Sequence, residues 1–229
     1  MGNTAELEEV EVSTNGSKAK RSTSKEVAIN IPKLKIERME ILVIGDSSLI
    51  PHKFSSKSKN QIREKQAKTA KGAKEARNPK QEYLDSLYIL DKDLNLIADE
   101  NVKELTNKTI YGMRSISFKS AAVGACSHVD GITKVLARGA FHIDGEYVKI
   151  DTDKIPEMRE DLVTIGMGKS DLRYRGNMKN WSAKFIVRYN ASVLSREQIV
   201  NLFNTAGFSN GIGDWRPQTN GSSGMFHVG

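Results

Sequence analysis

The sequence is short of cysteine, proline and aromatic residues, and it has no long apolar run. A single cysteine, Cys126, among 229 residues excludes an internal disulfide and fits a reducing compartment. The absence of any stretch of about 18 apolar residues excludes a membrane-spanning helix. The first residues contain no apolar signal region. Met1-Gly2 resembles the start of a myristoylation signal, but Glu6 stands where Ser or Thr is needed. A cytoplasmic protein with no membrane partner is expected.

Recognisable catalytic apparatus is equally scarce. The four histidines, His52, His128, His142 and His227, have no metal-ligand spacing, and Cys126 has no partner thiol. No metal or cofactor is expected. There is no Walker loop, and Gly207, Gly211 and Gly213 follow a helical pattern instead of a strand, so the dinucleotide fingerprint fails. Asp46 and Asp130 are read as ordinary loop aspartates. A metal-independent ribonuclease would need a histidine with a nearby lysine or tyrosine as acid and base. His52, His142 and His227 are the candidates, each read first as structural.

What the chain does have is positive charge, gathered in one place. Net charge is +7. Ten basic residues, Lys53, Lys57, Lys59, Arg63, Lys65, Lys68, Lys71, Lys74, Arg77 and Lys80, stand against Glu64 and Glu75 only. That segment carries +8 and the remainder −1. Residues 53–77 are expected to form a long helix that stops near Asn78-Pro79. Its apolar positions are few (Phe54, Ile62 and alanines), so it has no face to bury. Like charges three or four residues apart repel by roughly 0.2–0.5 kcal/mol per pair, which a polyanion would relieve. Concentrated charge favours nucleic acid over a solvated helix; a membrane surface would require the missing apolar face.

The remaining chain reads as mixed α and β. Residues 1–30 are polar, without periodicity, and are expected to be a disordered arm; Lys18-Ala-Lys-Arg21 is part of its solvated surface. Residues 35–44 form a first strand, apolar on both faces at 41–44 as a central strand would be. A strand is expected at 83–90, and 111–117 leads into a helix at 118–129 with Ser117 as N-cap. Ala121, Ala122, Gly124 and Ala125 give that helix a small face, with Cys126 buried. Residues 139–150 read as a hairpin turning at Asp144-Gly145. Short strands follow at 162–166 and 171–175, the second projecting Arg173 and Arg175 from one face. In 181–189, Trp181, Ala183, Phe185, Val187 and Tyr189 make one face; Ser182, Lys184 and Arg188 lie on the other. Ser195 to Gln198 is a capping box, opening a helix that buries Ile199, Leu202, Phe203 and Ala206 and ends at Gly207.

A glycine-rich loop, residues 207–224, then displays Trp215 beside Arg216 before a closing strand at 225–228. Tryptophan and arginine both stack on bases, and arginine also reaches phosphate, so this pair is the candidate base-handling element. The alternative is that the glycines only make turns and Trp215 only caps the core.

Three motifs carry a family resemblance. Gly-Asp-Ser-Ser-Leu-Ile at 45–50, after the first strand, resembles the opening of RAMP-superfamily proteins, the ferredoxin-like backbone subunits of CRISPR effector complexes. Ile116 to Cys126 is similar to their strand entering a small-residue helix, and the terminal loop to their glycine loop. Residues 33–228 also resemble a group of phage and prophage proteins found among replication and recombination genes. The resemblance implies an α+β, ferredoxin-like (RRM-like) antiparallel sheet with helices on one face. Residues 31–229 would form that domain, with 53–110 as a basic insertion carrying the helical arm.

It also implies self-association into a filament along a single strand. No aspartate matches the cleaving loop of the nuclease-active backbone subunits. The expectation is a non-catalytic, sequence-tolerant binder of single-stranded DNA or RNA, forming a homo-oligomer in the bacterial host cytoplasm if phage-encoded. The basic segment would contact phosphates, Arg173, Arg175, Lys184 and Arg188 would make a second patch, and Trp215 and Arg216 would meet the bases. The alternatives are a protein-interaction module, such as a phage inhibitor mimicking a CRISPR subunit, a metal-independent ribonuclease, and a virion protein.

Overall fold

The structure, a computed structural model, describes residues 33–67, 76–166 and 168–229. The chain divides into Met1–Lys33 and Leu34–Gly229, and the second unit is the one described. The proposed N-terminal arm and Lys68, Lys71 and Lys74 lie outside the described residues.

The elements run β1 (Ile36–Gly45), α1 (Ser56–Gln66), α2 (Pro79–Asp85), β2 (Tyr88–Leu90), β3 (Ile110–Arg114), α3 (Ser115–Ala125), α4 (Lys134–Ala140) and β4 (Phe141–Ile143). They continue with β5 (Tyr147–Thr152), β6 (Glu157–Ile165), β7 (Lys169–Asn177), β8 (Trp181–Asn190), α5 (Arg196–Ser209) and β9 (Phe226–Val228). The fold is α+β. Seven strands make one antiparallel sheet, ordered β2-β3-β5-β8-β1-β9 with β4 also beside β8; β6 and β7 form a separate ribbon.

The alternation read in β1 and β8 explains the core. Their register pairs Ile36 with Asn190 through Ile44 with Ser182. That places Met39, Ile41 and Val43 beside Ala183, Phe185, Val187 and Tyr189 on one buried face. Helices α3 and α5 cover it: the Phe118 and Phe203 rings lie 4.9 and 5.5 Å from Phe185. Burying each such side chain contributes about 1.5–3 kcal/mol. The capping box of α5 forms in full, with Ser195 accepting from the Gln198 N–H and Gln198 accepting from the Ser195 N–H.

Several sequence expectations change for physical reasons. Asn78-Pro79 starts a helix instead of ending one: Asn78 accepts from the Gln81 N–H, and Pro79 occupies a first-turn position where its missing donor costs nothing. The strand foreseen at 83–90 is therefore reduced to β2. Helix α3 begins two residues before Ser117, with Arg114 at the cap position and no side-chain cap bond. β1 is central but not covered on both sides, because Leu42 and Ile44 remain exposed on the open face.

The expected hairpin at 139–150 does not form. β4 and β5 lie along the same edge of β8, at Tyr189–Val187 and Ala183–Trp181, running in one direction. Asp144-Gly145 makes a bulge between them, with Gly145 at φ +80 and the Asp144 N–H donating to Ile186 O. Gly139 and Ala140, where the first arm was expected to start, belong instead to α4, capped by Thr133, and the rest of that arm is β4. Gly207 is not a helix terminus. It lies inside α5, where a Cβ would fall 1.7 Å from Phe226 O, so glycine is what lets β9 approach.

Candidate nucleic-acid interface

The glycine-rich loop is held by backbone, and this decides where Trp215 and Arg216 lie. The Ile212 N–H donates to Gly224 O, Gly224 N–H to Ser48 O, and Asp214 N–H to Ile50 O, at 2.9, 2.8 and 2.9 Å. Each bond joins this loop to itself or to the segment after β1. Gly213, at φ +78, sits where a Cβ would be 2.6 Å from Ile50 O. The glycines thus serve close approach of two chain segments.

Trp215 is different. Its backbone lies in the left-handed region at φ 55, and the residue is 44% exposed. A bulky residue there costs on the order of 1–3 kcal/mol and persists only where its surroundings impose it. Those surroundings are visible: Ser223 N–H donates to Trp215 O at 2.9 Å. Gly221 passes so close that a Cβ would lie 1.7 Å from the same oxygen.

Next to it, Arg216 is aimed by its Nη1 donating to Gly213 O at 2.9 Å and its Nε to Gln218 Oε1 at 3.1 Å. Arg216 lines a cavity of about 280 Å³, whose wall also includes His52, Asp214, Gln218, and Ser117 and Ser120 of α3. His52 Nδ1 lies 2.9 Å from Asp214 Oδ2, so the imidazole carries its hydrogen toward the carboxylate. Arg175 Nη2 is 3.1 Å from that same oxygen. Burial works to raise Asp214, but the His52 hydrogen bond and the charges of His52, Arg175 and Arg216 outweigh it, holding the carboxyl below its ordinary range. Arg175 also reaches Asp161, which accepts from Arg159. A ladder of alternating donors and carboxylates therefore runs Arg159, Asp161, Arg175, Asp214, His52.

Two predicted phosphate contacts lie inside the protein. Lys53 is 6% exposed and its ammonium pairs with Asp99, whose other oxygen accepts from the Ser56 N–H at 2.7 Å. Arg175 is 7% exposed and committed to Asp161 and Asp214, with a buried Nε that has no hydrogen-bond partner among the described residues. Both charges hold elements together in this arrangement. Lys53 fastens the root of α1, and Arg175 fastens the β6–β7 ribbon to the glycine-rich loop.

The remaining candidates are at the surface. Helix α1 has no buried residue; it carries Lys57, Lys59, Arg63 and Lys65, and Ser55 caps it by accepting from the Ser58 N–H. Its root adjoins the cavity through His52. Arg77 is clamped by Glu82 and Asp171 at 2.7 and 2.6 Å, which raises its already high proton affinity. Lys80 is exposed on α2. Arg173 pairs with Asp171, Lys184 with Glu40 and Arg188 with Asp144. Sequence reasoning missed Asp214, Ser117, Ser120 and Gln218 as companions of Arg216. Asp214, directly preceding Trp215, was the available signal. Among the described residues, no three His, Cys, Asp or Glu side chains gather as metal ligands, and no helix is long and apolar enough to cross a membrane.

The chain matches no family model and no curated protein sequence, so its function is argued from this geometry.

Proposed function

We propose that the protein binds single-stranded nucleic acid with little sequence preference and without cleaving it. The observation that carries this reading is Trp215, half exposed and held in a strained left-handed backbone, next in sequence to Arg216, which lines the cavity. A flat ring and a guanidinium on adjacent residues suit one base and its phosphate. Helix α1, basic and without a buried face, supplies further phosphate contacts from Lys57, Lys59, Arg63 and Lys65, and the basic run continues in sequence toward Lys80.

The ferredoxin-like reading belongs to the same proposal. It is supported by the order β9-β1-β8-β4/β5, by the antiparallel pairing throughout, and by α3 and α5 packing on one face. On this reading β2, β3, α1 and α2 are inserted after β1. Polymerisation along the strand follows from the RAMP resemblance.

The test is fluorescence anisotropy with labelled single strands across salt concentration. If about six phosphates are neutralised, log affinity falls with log salt at a slope near −4. Trp215→Ala weakens binding by about 1–3 kcal/mol. A flat salt response, or no binding at low salt, refutes the proposal.

A second reading is favoured by the His52–Asp214 pair: an oriented imidazole in a cavity beside Arg216 is also what a metal-independent ribonuclease would use. Labelled RNA left intact after hours with purified protein removes it. Strand scission that disappears in His52→Ala establishes it instead.

A further inference from the structure

The open face of the sheet carries a row of basic groups that the cavity does not account for. The register of three adjacent strands aligns Arg38 of β1 with Arg188 of β8, and Arg188 with His142 of β4. All three are exposed. From the covered side, Lys119 of α3 reaches the row: its Nζ donates to Arg138 O at 2.9 Å and lies 3.0 Å from His142 Nδ1. An ammonium donating to Nδ1 fixes the neutral ring with its hydrogen on Nε2, so His142 still has one donor to offer.

Like charges directly opposite on a sheet destabilise the pair, yet Arg38 faces Arg188. Asp144 is bonded to Arg188, but it serves one cation of three. Glu40, two residues from Arg38, is paired with Lys184. Burial draws Lys119 below the ordinary lysine range; burial, then the Lys119 and Arg188 charges, draw His142 down as well. The row is therefore a place where cations crowd one another.

The same face also lacks something. Along β1 it carries Arg38, Glu40, Leu42 and Ile44, and along β8 Ser182, Lys184, Ile186 and Arg188, with no aromatic ring. These two central strands offer no base-stacking platform. Strands about 4.8 Å apart put the three aligned residues across roughly 10 Å, wide enough for a sugar–phosphate backbone but selective for nothing on a base.

We propose that Arg38, Arg188, His142 and Lys119 form a phosphate-binding row across the open face, which takes the phosphodiester backbone of the bound strand independently of its bases. This deepens the single-strand reading and rests on it. Trp215 would handle a base; the row would handle only backbone.

The experiment compares wild type, Arg38→Ala, Arg38→Lys, His142→Ala and Trp215→Ala on a normal single strand and on an abasic strand of equal length. Arg38→Ala and His142→Ala are expected to weaken both strands alike, on the order of fivefold at low salt. Arg38→Ala should also flatten the salt slope by about 0.7, and Arg38→Lys should restore most of the loss. The Trp215→Ala defect should vanish on the abasic strand. If wild type binds and the row variants match it in affinity and slope, the row is wrong while the single-strand reading stands. If wild type binds neither strand, the single-strand reading itself falls. Inorganic phosphate at matched ionic strength supplies the last arm: displacement of the strand at millimolar phosphate, lost in Arg38→Ala, would overturn the phosphodiester assignment in favour of a small-anion site.

Discussion

Replacing Asp99 by alanine tests the root of the basic helix most directly. Asp99 does two things at once: one oxygen pairs with the Lys53 ammonium and the other accepts from the Ser56 N–H, the first donor of α1. The Lys53 and Asp99 side chains are 5% and 10% exposed, so solvent screens this pair little. Burial raises the Asp99 carboxyl, but the Lys53 and Ser56 hydrogen bonds and the Lys53 charge more than offset that, and the net shift is downward. Asp99→Ala leaves an ammonium inside without a counter-ion, a change that costs about 3–5 kcal/mol. For a unit of this size each kcal/mol lowers Tm by about 2–4 °C, so thermal melting at pH 7 should show a fall of about 6–20 °C. The double replacement Lys53→Met with Asp99→Leu should recover most of the stability, because it removes both buried charges together. A fall below about 2 °C for Asp99→Ala, or a double variant no better than the single, would refute the assignment of Lys53 as a structural anchor.

Other expectations concern the same framework. Asp99 and Asp214 both titrate below their ordinary range, so each adds stability that is present above about pH 4 and is lost as pH falls through its folded value. Urea midpoints should therefore drop through that acid window, and the Asp214→Asn midpoint should drop less. Gly207→Ala should cost at least about 1–3 kcal/mol by pushing β9 off α5, read as a lower urea midpoint. At Trp215 the usual order reverses: Trp215→Gly should be more stable than Trp215→Ala by about 1 kcal/mol, because only glycine takes the left-handed backbone without strain. Calorimetry of the two variants decides it.

Periodicity made β1, β8 and α5 legible, because their buried faces follow a simple repeat of two or of 3.6 and their caps are local. The errors came where a local signal has two meanings. Asn-Pro can close one helix or open another, and the choice depends on Tyr83 and Leu84 being buried after it. Asp-Gly can turn a hairpin or bulge a strand, and β8 decides by offering both segments the same edge. The site was legible as Trp215 and Arg216 because both belong to one loop. Its His52–Asp214 pair was not: the two are far apart in sequence, and Arg175 joins them only through the packing of the ribbon. Charge density alone cannot distinguish a lysine reaching solvent from Lys53, whose partner lies 46 residues away.

The ladder from Arg159 to His52 has a consequence of its own. Asp214 stands between a cation held by the ribbon and an imidazole in the cavity wall. Withdrawing the ribbon would take the Arg175 charge away from the carboxylate and leave Asp214 more basic. By reciprocity, a proton gained at Asp214 would weaken the hold on the ribbon. The ribbon and the carboxylate thus report on each other. A hand that drew the β6–β7 ribbon aside would be felt in the cavity as a more basic Asp214.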